Sequence, residues 1–244
     1  MNDSIKPLCE TIRDAGFCFI PAAAASSLVE ISSADWRRFA ASWNDMPMDT
    51  YMADGGRYRR RRHATLSMSA NTTVAKLEPH QAHYQSRDYN TLNGGIARHF
   101  EPIAEAVVNG EPMTSLLALC GAVFGRCLPG REWHIEAHQF RIEADAAASG
   151  QPTPEGVHRD GVDYVLVMMV KRHNIREGTT TIHDPAGRTL ASFTLREPLD
   201  LTLIDDHRCL HGVTAVTPLD PTEPAWRDVL VVTFRARRAD QSEG

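Results

Sequence analysis

The stretch Gly156-Val-His-Arg-Asp-Gly-Val-Asp-Tyr-Val165 decides how the rest of the chain is read. It sets an imidazole, His158, and a carboxylate, Asp160, two residues apart. Side chains alternate between faces in extended backbone, so these two would project together. Two ligands of a transition metal then stand side by side, and a third has to come from elsewhere. The segment Asp205-Asp-His-Arg-Cys-Leu-His-Gly212 offers His211. The competing explanation is a turn at Asp160-Gly161 with a solvated histidine.

Context favours the metal. The motif follows a loop rich in Gly, Pro and Ala (146–155) and opens an apolar run over 162–171, the pattern of a strand covered on both faces. His173, His183 and His207 compete with His211. His207 lies in an Asp-Asp-His turn and His183 precedes Asp184-Pro185, both turn signals, whereas His211 begins a strand rich in Val and Thr. Two imidazoles and one carboxylate, with coordination positions left open, form the facial triad of non-haem Fe(II) sites.

Composition bounds the alternatives. The 244 residues carry 42% hydrophobic and 23% charged side chains, ordinary for a globular protein. A net charge of −5 gives no reason to expect nucleic acid. No apolar run reaches the about 18 residues of a membrane span, and no basic segment followed by an apolar one opens the chain, so a cytoplasmic protein is expected. Cys9, Cys18, Cys120, Cys127 and Cys209 form no C-x-x-C pair, which argues for reduced thiols rather than a disulfide framework or zinc ribbon.

The first half reads as helical. Ile5, Leu8 and Ile12 have helical spacing behind Ser4, a suitable N-cap, and Gly16 ends that helix. Phe17-Cys-Phe-Ile20 is a short strand stopped by Pro21. Helices are expected over 23–43, 96–108 and 113–127, and a long surface or active-site loop over 79–95. From Trp133 onward, short turn-punctuated strands follow one another: 133–144, 162–171, 179–183, 190–195, 199–204, 210–216 and 229–235. Strands after helices give an α+β chain, a β-sandwich or jelly-roll core with N-terminal helices packed outside it. No linker divides residues 1–244, so one domain is expected, with 1–130 as mostly helical support and substrate-side segments and 131–238 as the β core with the metal site. The polar end, 239–244, is expected to fray.

The segments PEGVHRDGVDYVLVMMVKRHN (154–174), EPLDLTLIDDHRCLHGVTAV (197–216) and RDVLVVTF (227–234) resemble the 2-oxoglutarate/Fe(II) dioxygenases that include L-isoleucine hydroxylases and biofilm-stress-motility proteins. GGRYRRRRHA (55–64) is a looser match. The resemblance implies a double-stranded β-helix, Fe(II), 2-oxoglutarate and O2 as co-substrates, and His158, Asp160 and His211 as iron ligands. A ligating Asp160 argues against a halogenase, which vacates that position. The implied substrate is a small molecule, a free L-amino acid hydroxylated on its side chain. The distal carboxylate of 2-oxoglutarate needs a cation, which a guanidinium supplies bidentately, and the resemblance implies that it lies on the strand after the distal histidine. Arg227 is the match, and Arg235, of the same strand parity, is the fallback. A non-catalytic β-barrel binding protein that keeps the metal scaffold is the alternative function, and a cupin-like zinc or manganese hydrolase or isomerase is another.

Arg57, Arg59, Arg60, Arg61 and Arg62 are the densest charge in the chain. A solvated edge strand blunted by charge is the first expectation. In the second, Arg59 and Arg61 share a face, reach the mouth of the site and hold a substrate carboxylate. Gln139 and Arg141, on the strand before the His158 loop, are further candidates for substrate contact. Oligomeric state is not legible in the sequence.

Overall fold

The computed structural model describes residues 2–237, so the expected fraying of 239–244 lies outside the described residues. Helix α1 (Asn2–Ala15) leads into β1 (Phe17–Ile20), then α2 (Ala22–Ala25) and α3 (Ser33–Ala41). Strands β2 (Arg59–Met68), β3 (Ala75–Leu77), β4 (His83–Tyr84), β5 (Ala97–Arg98) and β6 (Glu101–Pro102) come next. Helices α4 (Glu105–Val108) and α5 (Glu111–Cys127) precede the β half. That half contains β7 (Trp133–Ala144), β8 (Tyr164–His173), β9 (Ile175–Glu177), β10 (Thr180–His183), β11 (Thr189–Phe193), β12 (Leu201–Asp205), β13 (Leu210–Val213), β14 (Val216–Pro218) and β15 (Ala225–Ala236).

Eight strands make the large sheet, in the order β1-β12-β8-β15-β7-β2-β3, with β6 also paired to β2. All of its pairings are antiparallel except β2 with β6. Strict alternation along the long strands gives this sheet two different faces. Trp133, Ile135, Ala137, Leu166, Met168, Leu230, Val232 and Phe234 turn toward the helices and join Ile12, Trp43, Leu116 and Phe124 in the main core. Phe124 of α5 stacks on Tyr164 at 4.5 Å and meets Phe234 edge-on at 5.0 Å, which fixes α5 across the sheet.

The opposite face is covered by smaller sheets, β11-β10-β13 and β14-β9. Val165 and Ile204 of the large sheet pack there on Ile182 and Cys209, and Met169 and Val229 on Leu195. Two layers of antiparallel strands with helices on the outer face are the expected jelly-roll arrangement. All five cysteines are free thiols. No helix among the described residues is long and apolar enough to cross a membrane.

Several expected elements shift. The helix expected over 23–43 is broken between α2 and α3, because Ser32 caps a new helix by accepting the Asp35 N–H at 3.1 Å. The helix expected over 96–108 shrinks to α4. Pro102 holds the residue before it in extended backbone, and β5 and β6 form instead. Gly16 ends α1 as expected, with φ +83 and its N–H donating to the Ile12 carbonyl at 2.8 Å. A side chain there would also collide with Cys209 Sγ, 2.6 Å from the Cβ position.

Candidate metal centre and its cavity

His158 is not on a regular strand, contrary to expectation, since β8 begins only at Tyr164. A single antiparallel bridge holds it: His158 N–H donates to His211 O and His211 N–H to His158 O, each at 2.9 Å. Thr153 reinforces this by accepting the Val213 N–H at 3.0 Å and donating to Val213 O at 3.2 Å. His211 itself belongs to β13, whose register against β10 pairs it with Ile182.

The bridge brings the three side chains together. His158 Nε2 lies 3.7 Å from Asp160 Oδ1, and His211 Nε2 lies 3.7 Å from Asp160 Oδ2. The imidazole centroids are 4.7 Å apart. Ligand atoms about 2.1 Å from a shared ion stand at most about 4.2 Å from each other, and both carboxylate–imidazole separations fall within that. His158 Nδ1 donates to Gly156 O at 3.0 Å, which leaves the Nε2 lone pair for a metal. Among the rivals, His207 pairs with Asp163 at the surface and His173 packs on Trp226 at 4.2 Å.

Electrostatics bind the group further. Burial disfavours the charged imidazole, yet the Asp160 and Glu155 carboxylates outweigh it and hold His158 up at about 9. His211 moves the other way, down to about 4, through burial and the neighbouring His158 charge. Burial opposes ionisation of Asp160, but both histidines keep its carboxyl well below the usual range. Without metal His158 is thus an imidazolium held by Asp160 and Glu155. A metal that displaces its Nε2 proton would meet one anion between two imidazoles, a donor set that suits Fe(II).

Asp206 was read only as part of a turn, but its carboxylate accepts the N–H groups of Asp160, Gly161 and Val162 at 3.0, 2.7 and 3.1 Å. It shapes the loop that aims Asp160. Burial and the nearby Asp160 charge raise its own pKa to about 6. The segment over 79–95 closes the other side of the loop. Gln85 donates to Asp160 O at 3.1 Å, and the Tyr89 ring fills the space a Cβ at Gly161 would need. Gly161 has φ +79, so glycine is required there on backbone grounds as well.

The three side chains line a cavity of about 240 Å³ between the sheets. Arg227 lines it too, 2% exposed, with Nε and Nη2 lacking any partner. Burial and the adjacent Arg172 push its pKa down to about 9. A buried guanidinium with free donors is a built receptor for a carboxylate. Arg235 has the same strand parity and also reaches the cavity.

Of the arginine run, Arg59 and Arg61 are buried and line the cavity. The solvated edge is not observed, because β2 lies between β7 and β3 in the sheet. Arg60 and Arg62 face away, to Glu143 at 2.7 Å and to the Asp45 carbonyl at 2.8 Å. Arg59 is ion-paired with Asp49 at 2.7 Å, which leaves Arg61 as the uncompensated member.

Gln139 and Arg141 do not line the cavity. Gln139 donates to Ser42 Oγ at 2.7 Å, and Arg141 is held by Asp228 at 2.7 and 2.8 Å. Strand parity is the reason: Gln139 and Arg141 alternate with Glu136, His138 and Phe140, which do line it. Ile135 and Ala137 were the available signal, since apolar residues of one parity mark the covered face. Arg98 was missed as well, because its short strand was read as helix.

Comparison with known proteins agrees with this geometry. The 2OG-Fe dioxygenase family profile matches residues 40–233. The chain is 25% identical over 197 residues to the 3(1)-hydroxy-L-isoleucine 4-dioxygenase of Pantoea ananatis, covering 79% of this chain and 78% of that protein. It is 26% identical over 163 residues to the L-isoleucine-4-hydroxylase of Bacillus thuringiensis, covering 65% and 67%. The crystal structure of a bsmA homolog from Methylobium petroleophilum superposes with a TM-score of 0.85 at 36% identity, over 95% of this chain and 92% of that one. IDO from Bacillus thuringiensis shares the fold, with a TM-score of 0.81 at 17% identity over 96% and 100%. The chain therefore belongs to the 2OG-Fe dioxygenase family, enzymes that use Fe(II), 2-oxoglutarate and O2.

Proposed function

We propose that this dioxygenase hydroxylates the side chain of a free L-amino acid, with His158, Asp160 and His211 holding the iron and Arg227 the distal carboxylate of 2-oxoglutarate. The observation that carries it is the convergence of the three ligand side chains in the same cavity as a buried, unpartnered Arg227. When bound, Fe(II) supplies the centre at which O2 and 2-oxoglutarate are converted, one oxygen atom entering the substrate C–H bond and the other entering succinate as CO2 leaves.

The chain's own residues do the positioning. Gly156 O orients His158, Asp206 shapes the Asp160 loop, and Gln85 of the segment over 79–95 holds that loop through the Asp160 carbonyl. An amino-acid substrate is supported by the names of the two isoleucine-acting relatives and by Arg61, a buried cation on the cavity wall. A zinc or manganese hydrolase leaves the unpartnered Arg227 without a purpose. The non-catalytic alternative predicts no charge-transfer band with Fe(II) and 2-oxoglutarate. Screening the twenty common L-amino acids for O2-dependent succinate formation tests the proposal. At least one should stimulate release well above the substrate-free rate, and a flat panel would contradict it.

A further inference from the structure

Charged groups in the cavity wall remain unexplained by iron and 2-oxoglutarate. Arg61 and Arg98 are 5% and 1% exposed. The Arg61 guanidinium lies 4.0 Å from the Phe100 ring and 4.6 Å from the Phe140 ring. Its Nη2 meets His138 Nδ1 at 3.1 Å, and its Nε has no partner. Arg98 leaves both Nε and Nη2 without partners. Arg59 has Asp49 as counter-ion, whereas Arg61 and Arg98 have no carboxylate in ion-pair contact among the described residues. Burying a charge without a counter-ion is costly, so two such guanidiniums in one cavity wall point to an anionic ligand. Their planar forks suit a carboxylate.

One imidazole away stands the opposite charge. Glu136 Oε1 meets His63 Nε2 at 3.2 Å and His83 Nδ1 at 3.0 Å, and no hydrogen bond reaches Oε2 among the described residues. The His138 ring stacks on His63 and meets His83 edge-on, both at 4.8 Å, so it separates Arg61 from the glutamate pair. Burial pushes His63 and His138 down and takes His83 to about 4, so these rings are neutral near pH 7. Burial opposes charge on Glu136 too, but its two histidine partners keep it ionised. The anion among these groups is therefore Glu136.

Three histidines and a carboxylate within 4.8 Å of one another also have the composition of a zinc site. The Arg61 guanidinium argues against that occupant. It touches His138, and a divalent ion beside it would place like charges close together in a poorly solvated cavity. A zwitterion meets both poles at once.

We propose that this constellation is the subsite for the backbone of the substrate: Arg61 and Arg98 take its α-carboxylate, and Glu136, braced by His63 and His83, takes its α-ammonium. The side chain is then left to run toward His158, Asp160 and His211. This rests on the amino-acid hydroxylase proposal and goes beyond it by naming what is selected. A free α-amino acid fits, whereas an N-acylated amino acid or a 2-hydroxy acid lacks the ammonium.

The test is an anaerobic titration of the protein loaded with Fe(II) and 2-oxoglutarate, following the visible charge-transfer band. The probes are L-isoleucine with its N-acetyl and 2-hydroxy analogues, and the other common L-amino acids. An amino acid should perturb the band, with the analogues weaker by about 10-fold or more, as expected for loss of one charge-assisted hydrogen bond. Glu136→Gln should weaken amino-acid binding by about 10- to 100-fold while leaving 2-hydroxy acid binding within about 3-fold. Arg98→Met should weaken both, which separates the two poles. The band formed before substrate is added serves as the control for folding and for the iron site. Equal amino-acid binding by Glu136→Gln and wild type overturns the subsite. So does a second equivalent of zinc bound by wild type and lost in Glu136→Gln. Unchanged amino-acid binding in Glu136→Gln sinks the subsite alone. A normal band that no amino acid perturbs sinks the amino-acid reading with it, and no band in wild type sinks the dioxygenase assignment beneath both.

Discussion

His158 and His211 exchange both of their backbone hydrogen bonds, each N–H donating to the other's carbonyl at 2.9 Å. The pair spans a loop and a strand that are far apart in the chain, and it is what makes a metal site out of them. Directly opposed residues of an antiparallel bridge turn their side chains to the same side. Asp160 then needs only a shaped turn to complete the set, and Asp206 supplies it through three N–H contacts.

That dependence gives a first prediction. Asp206→Ala should weaken Fe(II) binding by about 10- to 100-fold, the usual effect of losing a group that orients a ligand. Helical content and the unfolding transition should stay cooperative. Iron titration followed by the charge-transfer band measures it, and an unchanged iron affinity would show that the loop holds its shape without Asp206.

Arg227 is the second point of test. Arg227→Met should raise the 2-oxoglutarate concentration needed for half-saturation by about 10- to 100-fold, since a charge-assisted bidentate contact is lost. Arg235→Met should have a much smaller effect. Reversal of the two effects would move the co-substrate to Arg235.

The fold and the metal centre were far more legible in the sequence than the substrate wall. Phe17–Ile20 and Trp133–Ala144 form strands over the residues expected, because Pro21 and alternating apolar residues are unambiguous local signals. His158, Asp160 and His211 are named from the pattern and the family resemblance together, and the structure brings the three into one group that could hold a metal ion. The helix expected over 96–108 failed because Pro102 overrode the helical spacing of its neighbours. Choosing Gln139 and Arg141 over Glu136 and His138 placed the chemistry on the wrong face of β7, although Ile135 and Ala137 already marked that face as covered. Arg98 and His83 lie on two-residue strands paired with each other, too short for any periodicity to register.

Acid should destabilise the metal-free protein through its buried neutral histidines. Burial lowers the folded pKa of His83 to about 4 from an ordinary value of 6.5. Between these values the unfolded chain binds more protons than the folded one, so stability rises with pH across that window and falls on acidification. His63 and His138 act in the same sense. Urea unfolding at pH 7 and pH 5 with chelator present should show a lower midpoint at pH 5. His83→Gln should lessen the difference, and an undiminished difference would assign the acid sensitivity elsewhere.

Packing of α5 on the sheet gives a stability prediction independent of the site. Phe124→Ala should cost about 3–5 kcal/mol, the range for deleting a fully buried phenyl ring. Phe124 is fully buried against Tyr164 and Phe234, so the cavity left behind has little room to collapse. Chemical denaturation measures this, and a loss under about 1 kcal/mol would mean that α5 repacks.

The most direct test is anaerobic Fe(II) titration in the presence of 2-oxoglutarate, comparing wild type with Asp160→Ala. Wild type should develop the visible charge-transfer band with an end point of one iron per chain, and the variant should develop none while remaining folded. A full band in Asp160→Ala, or a folded wild type that never develops one, would contradict the assignment of His158, Asp160 and His211 as the iron site.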